Sequence, residues 1–111
     1  MITQDQLTAA GYRKFTTTKE YADCMYQKGI TDDFGKCYYI NVTVYDNTEI
    51  ITRGYQGDRY SFEADAQLTL ADGSVFNVQL LNPNSIDHLE KFFAEIWSAM
   101  GCCYYEMFEE D

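Results

Sequence analysis

The segment from Tyr60 to Leu70 constrains the fold more than any other part of the chain, because its apolar and polar residues alternate. Every even-numbered position in these eleven residues is apolar, and every odd-numbered position between them is polar. A period of two over this length predicts a β-strand with one buried face and one exposed face. The chain must therefore contain a sheet that other elements cover on one side.

The same alternation predicts the register of the next strand, Val75–Leu81, which follows an Asp-Gly turn. A two-residue loop would place Leu68 opposite polar Asn77. A three-residue loop with a left-handed Gly73 would instead place Leu68 opposite Phe76. Because a one-residue slip exchanges the two faces of a strand, we expect the three-residue loop.

An amphipathic helix is predicted near the C-terminus. Ser85 is placed to cap its first turn, and Gly101 is expected to end it. Residues 102–111 are then expected to form an acidic tail or an edge strand. One apolar stripe of helical period predicts packing against the sheet; it consists of Ile86, Leu89, Phe93, Ile96, Trp97 and Met100.

The first half of the chain supplies a helix and a hairpin. The capping-box pair Thr3 and Gln6 predicts a short helix that ends near Ala10. A hairpin is predicted over Tyr21–Tyr45, whereas residues 12–20 fit either extended chain or a turn of helix.

These elements predict a single α+β domain over residues 1–111. Its core is an antiparallel sheet of about four strands in two hairpins. A short N-terminal helix and the amphipathic C-terminal helix pack on one face. Residues 46–59 are expected to form a long loop, and loops of this length in small domains are often functional.

Charge is distributed unevenly along the chain. Eight Lys and Arg against eighteen Asp and Glu give a net charge of −10. Residues 1–59 carry seven basic and eight acidic side chains, whereas residues 60–111 carry one and ten, a net of −9. This balance argues against direct binding to nucleic acid or to an anionic membrane surface. No apolar run approaches the roughly 20 residues of a membrane span, and no secretory signal is visible, so we expect a cytoplasmic protein.

The sequence contains no motif typical of catalysis or of metal binding. His88 is the only histidine, and nothing marks a nucleophile within its reach. The four cysteines lack C-x-x-C spacing. Glu63 and Asp65 share a strand face at a spacing that a glycosidase could use, but no sugar-binding platform accompanies them. We therefore expect neither enzymatic activity nor a cofactor.

Ten tyrosines are unusual for 111 residues. Tyr39 and Tyr45 are predicted on the exposed strand face, where tyrosine offers a large, stiff contact area. With acidic neighbours, they favour a binding protein that covers a basic surface of a partner. The expected contact residues are first Glu63 and Asp65, and then Tyr39, Tyr45, Glu106, Glu109 and Glu110.

This combination resembles the small acidic proteins that phages carry to disable host defence, such as anti-CRISPR proteins. The resemblance rests on size, on the charge of −9 in one half, on the hairpins Tyr21–Tyr45 and Tyr60–Leu81 and on the closing helix Ser85–Met100. It is a resemblance of type, without a diagnostic motif. It implies that the protein covers a basic host protein or a protein–nucleic acid effector, as a monomer or a homodimer.

Three other functions fit the same residues. A bacterial immunity protein that neutralises a basic nuclease toxin would need the same electrostatics. A small-ligand binder or enzyme could use the loop 46–59, with Arg53 and Arg59 as an anion site. A self-assembling structural protein could use the tyrosine face as a dimer contact.

Overall fold

Alternating strands build the centre of the structure. The computed structural model describes residues 1–20, 22–69 and 73–109, with the side chains at 69, 76 and 100–109 outside the description. Within these residues the chain forms one antiparallel sheet whose strand order follows the sequence. The described elements are α1 (Gln4–Ala9), β1 (Arg13–Phe15), β2 (Ala22–Thr31), β3 (Cys37–Asp46), α2 (Thr48–Thr52), β4 (Tyr60–Thr69), β5 (Val75–Leu81) and α3 (Ile86–Glu109).

The register predicted for the second hairpin is confirmed. Leu68 pairs with Phe76, as the three-residue loop requires. Gly73 has a φ of 85°, a left-handed conformation that glycine adopts at no steric cost. Residues 70–72 of the turn lie outside the described residues.

The inner face of the sheet, which we define as the face covered by α1 and α3, contains the core. Ala64 and Ala66 of β4 are fully buried beneath α3, as are Leu89 and Phe93 of the helix. Because two alanines stand at the centre of β4, the backbone of α3 lies close to the sheet while the larger side chains fill the space beside it. Burial of each large apolar side chain contributes about 1.5–3 kcal/mol.

The N-terminal helix α1 packs on the same face. Its predicted capping box is present, with Thr3 and Gln6 hydrogen-bonded reciprocally. Leu7 is fully buried, and Gln4 Oε1 accepts a hydrogen bond of 3.0 Å from the Tyr26 hydroxyl on the inner face of β2. The prediction of an α+β fold with both terminal helices on one face is therefore confirmed.

Three details differ from the sequence-based prediction. The ambiguous residues 12–20 include a short strand, β1, so the sheet has five described strands rather than about four. The loop 46–59 contains one short helix, α2. The expectation that residues 102–111 add an edge strand was wrong for the described part, because α3 continues to Glu109. A glycine inside a helix lowers the stability of the helix by only about 1 kcal/mol relative to alanine, which is compatible with the continuation of α3 past Gly101.

A hydrogen bond joins the β2–β3 turn to α3. Asp32 Oδ2 accepts a hydrogen bond of 2.8 Å from the Trp97 indole. Its Oδ1 accepts backbone hydrogen bonds from Phe34 and Lys36, each at 2.9 Å. Desolvation opposes ionisation of Asp32, but the hydrogen bonds from Trp97 and from the two backbone amides outweigh it and lower the pKa of the carboxyl. The turn is thus attached to the helix by an ionised carboxylate.

Trp97→Phe should reduce the free energy of unfolding at pH 7 by about 1–2 kcal/mol, because it removes a hydrogen bond to a charged acceptor. Since the pKa of Asp32 is lower when folded, this contribution is present above about pH 4 and declines as the pH falls through the folded-state pKa. Urea unfolding at pH 7 and near pH 2 measures the difference. Asp33→Asn, at the exposed neighbouring position, is the control, and an equal Trp97→Phe cost at both pH values would contradict the assignment.

Candidate functional site

The predicted carboxylate pair lies on the outer face of the sheet, opposite α1 and α3, but it is not an open acidic site. Glu63 Oε1 forms an ion pair of 3.3 Å with Lys19 Nζ from the β1–β2 connection. Thr43, the neighbour of Glu63 on β3, is only 1% exposed although it also lies on the outer face. The connection that carries Lys19 therefore lies against this part of the face and neutralises Glu63.

Asp65 belongs to a row of polar side chains that crosses four strands. The Gln27 amide donates to Asn41 Oδ1 at 2.9 Å, and the Asn41 amide donates to Asp65 Oδ1 at 3.3 Å. Burial raises the pKa of Asp65, and the hydrogen bond from Asn41 only partly opposes this effect. Arg13 of β1 occupies the same row, opposite Gln27. Lys19 is thus the cation that contacts the outer-face carboxylates, whereas Arg13 lies three strands from Asp65 at the other end of the row.

Tyr39, one of the two predicted contact tyrosines, is exposed on the outer face. It is 55% exposed, and its ring covers the backbone of Gly29 on the neighbouring strand. A Cβ atom at Gly29 would lie 3.2 Å from Tyr39 Cε1, so the absence of a side chain there lets the ring lie flat. The second tyrosine, Tyr45, is half-buried near the other end of β3.

The C-terminal carboxylates lie on the other side of the molecule. Asp87 and Glu95 are exposed on α3, and neither forms an ion pair within the described part of the chain. Glu106 and Glu109 continue the same helix, at backbone positions within about 100° of Asp87 and Glu95 around the helix axis. We call these four positions the acidic side of α3; around the helix axis they lie opposite the positions of the buried residues Leu89 and Phe93. Glu110 lies outside the described residues.

The residues predicted to form one contact surface are therefore divided between two surfaces. Glu63, Asp65 and the two tyrosines lie on the outer face of the sheet, whereas Glu106 and Glu109 belong to α3, which packs on the inner face. Along the acidic side of α3 one cation, Lys91, accompanies the carboxylates. Of the acidic residues of the second half, five belong to α3 with Lys91 as its one cation, whereas two lie on the outer face of the sheet. Among the described residues, α3 therefore carries more negative charge than the outer face.

An aromatic cleft adjoins the acidic side of α3. It measures about 230 Å³ and lies between the β2–β3 turn and the helix. Tyr38 and Trp97 form its inner wall, with ring centroids 4.9 Å apart, and Phe34 at its rim is 40% exposed. Asp33, next to Phe34, is exposed and also lines the cleft. Aromatic rings beside carboxylates favour a cationic group such as a lysine or arginine side chain.

A group of ionisable residues beneath α3 was missed by the sequence analysis. Glu90 Oε2 accepts hydrogen bonds from the Tyr12 hydroxyl at 3.0 Å and from Lys28 Nζ at 2.9 Å. Burial, followed by the carboxylate of Glu90, raises the pKa of Tyr12. Burial, with the nearby carboxylates Glu90 and Asp32, also raises the pKa of Tyr38 to about 12. The sequence offers two signals for this group, since Lys28 occupies an inner-face position of β2 and Glu90 lies beside the apolar stripe of α3, four residues after Ile86.

This group joins β2 and Tyr12 to the helix. Within the described residues the Tyr38 hydroxyl is buried and has no hydrogen-bond partner. Tyr12 and Tyr38 are both almost fully buried, at 4% exposure each, and Glu90 is committed to Lys28 and Tyr12. The arrangement therefore fits a structural role better than proton transfer to a bound substrate.

The two arginines of the loop 46–59 do not form the expected anion site. Arg53 pairs with Glu49 at 2.8 Å, and Arg59 pairs with Asp46 at 3.4 Å. The Arg59 guanidinium also lies 4.9 Å from the centre of the Tyr60 ring. Both guanidinium groups are thus engaged with carboxylates of their own segment.

Neither a metal centre nor a membrane span is found in the described part of the chain. No cluster of three or more histidine, cysteine, aspartate or glutamate side chains there is arranged to hold a metal ion. No described helix combines the length and the apolar character that are needed to cross a membrane. Comparison with protein-family models, with curated proteins and with solved structures finds no match to this chain.

Asp65→Asn should increase the free energy of unfolding at pH 7. Because the folded state raises the pKa of Asp65, the ionised carboxylate destabilises the fold above about pH 4, and this penalty disappears at lower pH. The asparagine keeps an Oδ1 acceptor for Asn41, so the gain should be seen at pH 7 and vanish near pH 3. Urea unfolding at the two pH values measures it.

Glu63→Gln is the matched control on the same face. It should lower stability by at most about 1 kcal/mol, because it removes a partly exposed ion pair with Lys19. A loss of stability in Asp65→Asn at pH 7 would show that the carboxylate itself supports the fold.

Proposed function

We propose that this chain is a non-enzymatic acidic binding protein that covers a basic surface of a partner protein. The observation that supports the proposal is the excess of carboxylates over cations on the acidic side of α3, where four acidic positions are accompanied by Lys91 alone. Exposed charges of one sign increase the rate of encounter with a surface of opposite sign and disfavour partners of the same sign. The contact surface proposed here is therefore α3 rather than the outer face of the sheet.

The aromatic cleft supports the same surface. It opens beside Ala94 and Ser98, which lie on the outward part of α3 next to its acidic side. A lysine or arginine side chain of the partner would enter the cleft between Phe34 and Trp97, with Asp33 and the acidic side of α3 around it. Such a buried cationic anchor would slow dissociation, whereas the outlying charges act mainly on association.

We include in this proposal that the partner is a host protein which binds nucleic acid. The resemblance to phage proteins of the anti-CRISPR type favours a partner that itself binds nucleic acid, because such a partner has a basic surface to cover. In that setting the protein acts in the cytoplasm of the host cell. A bacterial immunity protein directed against a basic nuclease would use the same contact, and the identity of the captured partner distinguishes the two.

Removal of two charges from α3, by Asp87→Asn with Glu95→Gln, should weaken binding of the basic partner about tenfold at low salt, because the rate of encounter falls. The partner is recovered by affinity capture with the full chain at about 50 mM salt. Its affinity for each variant is then measured by calorimetry. Phe34→Ala, which opens the cleft, should weaken binding through faster dissociation.

The control variant removes two charges from the outer face instead, by Glu63→Gln with Asp65→Asn. It has the same net charge as the α3 variant, so a general effect of charge would lower both affinities equally. We expect less than a threefold change. An equal loss in both variants, capture that persists unchanged in about 1 M salt, or failure to capture any basic protein would contradict the proposal.

A further inference from the structure

The two edges of the sheet differ in how well they are protected from pairing. β1 has three residues and carries Arg13 and Lys14, and short, charged edge strands discourage the addition of another strand. β5 has seven residues, none of which is ionisable or proline. Val75 and Leu81, at the two ends of β5, are 55% and 66% exposed. The edge of β5 thus lacks these protective features.

One hydrogen bond shows which backbone groups of β5 point outward. The Asn82 amide donates to the Phe62 carbonyl at 2.8 Å, in register with the β4–β5 ladder. Residues along an antiparallel strand alternate between those that bond one neighbour and those that bond the other. The even-numbered residues of β5 therefore bond β4. The backbone groups on the other edge, which pairs with no other described strand, belong to the odd-numbered residues Val75, Asn77, Gln79 and Leu81.

We propose that this edge pairs with the same edge of a second copy of the chain, antiparallel about a two-fold axis at Val78. Val75 then lies opposite Leu81 of the second copy, and Asn77 lies opposite Gln79. Apolar side chains thus meet apolar ones, and amides meet amides that can hydrogen-bond across the seam. The four outward-facing residues of each copy find partners for both their N–H and C=O groups. The product is one continuous sheet through two copies.

Other registers of the two β5 strands would pair apolar residues with amide residues. An axis at Asn77 places Val75 opposite Gln79, and an axis at Gln79 places Leu81 opposite Asn77. An axis between two residues would pair inner-face positions with outer-face positions, which the alternation of a strand forbids. The axis at Val78 is therefore the register that this strand specifies.

Local charge permits a second copy on this edge, although each chain carries a net charge of −10 and like charges repel. Repulsion between two copies is weakest where carboxylates are absent, and Val75–Leu81 has none. The nearest outer-face carboxylate, Asp65, lies one strand inward. The two Asp65 side chains would be about 14 Å apart across three strand spacings, beyond a Debye length of about 8–10 Å. The acidic side of α3 is not part of the seam, so this inference is independent of the proposed partner contact.

A charge-exchange experiment tests the pairing. The variant Asn77→Lys with Gln79→Lys places lysines opposite lysines across the seam, and Asn77→Glu with Gln79→Glu does the same with glutamates. Each should raise the dissociation constant of the dimer at least tenfold. An equimolar mixture of the two variants should form a heterodimer, because lysine then faces glutamate. Sedimentation equilibrium gives the mass, for which the dimer is twice 12.9 kDa.

Gln67→Lys is the matched control, since Gln67 is exposed on the outer face of β4 but lies away from the edge. It should leave the mass of the wild-type dimer unchanged. Recovery of the heterodimer shows that both variants fold and that the seam is the contact. A wild-type chain that stays monomeric at about 1 mM, or a dimer that persists in the lysine variant, would overturn the proposal. Binding of a different protein that is lost in the lysine variant would assign the edge to that protein instead.

Discussion

The seating of α3 on the centre of β4 determines the remaining arrangement of the molecule. Ala64 and Ala66 let the helix approach, and Leu89 and Phe93 fill the space around them; all four are fully buried. This contact buries the apolar stripe of α3 against the inner face of the sheet. The surfaces that remain available to a partner are the outward side of the helix, the outer face of the sheet and the two edges of the sheet.

Those remaining surfaces differ in charge because of how the strands and helices divide the sequence. On the outer face, the first half of the chain brings Lys19 to the carboxylate of Glu63 on β4. On α3, the exposed positions after Asp87 are supplied by the acidic second half alone, with Lys91 as the one cation among them. The exposed surface of α3 therefore carries more negative charge than the outer face of the sheet.

The local structure was predictable where one period dominates. The alternation in β4 predicted the strand, and the mismatch of Leu68 with Asn77 predicted the turn length, because both depend on neighbouring residues alone. The extension of α3 past Gly101 was not predicted, since glycine also occurs inside helices and becomes a stop only when it adopts a left-handed conformation.

The candidate site was predictable only in part, because it depends on residues distant in sequence. Tyr39 was correctly placed on the exposed face by its position in β3. Glu63 and Lys19, which form an ion pair, are 44 residues apart in the sequence, so no local pattern predicts their contact. The contact of Trp97 with Asp32 spans 65 residues and creates the wall of the aromatic cleft. Sequence periodicity thus identified the faces but not their electrostatic compensation.

The difference in negative potential between α3 and the outer face of the sheet can be measured directly. Cationic and anionic nitroxide co-solutes enhance the NMR relaxation of each backbone amide according to the local potential, since ions concentrate near surfaces of opposite charge. We expect a strong preference for the cationic co-solute at Asp87 and Glu95 and a weak preference at Tyr39 and Asn41. Equal preference on both surfaces, or a stronger one on the sheet, would show that the negative potential is not concentrated on α3.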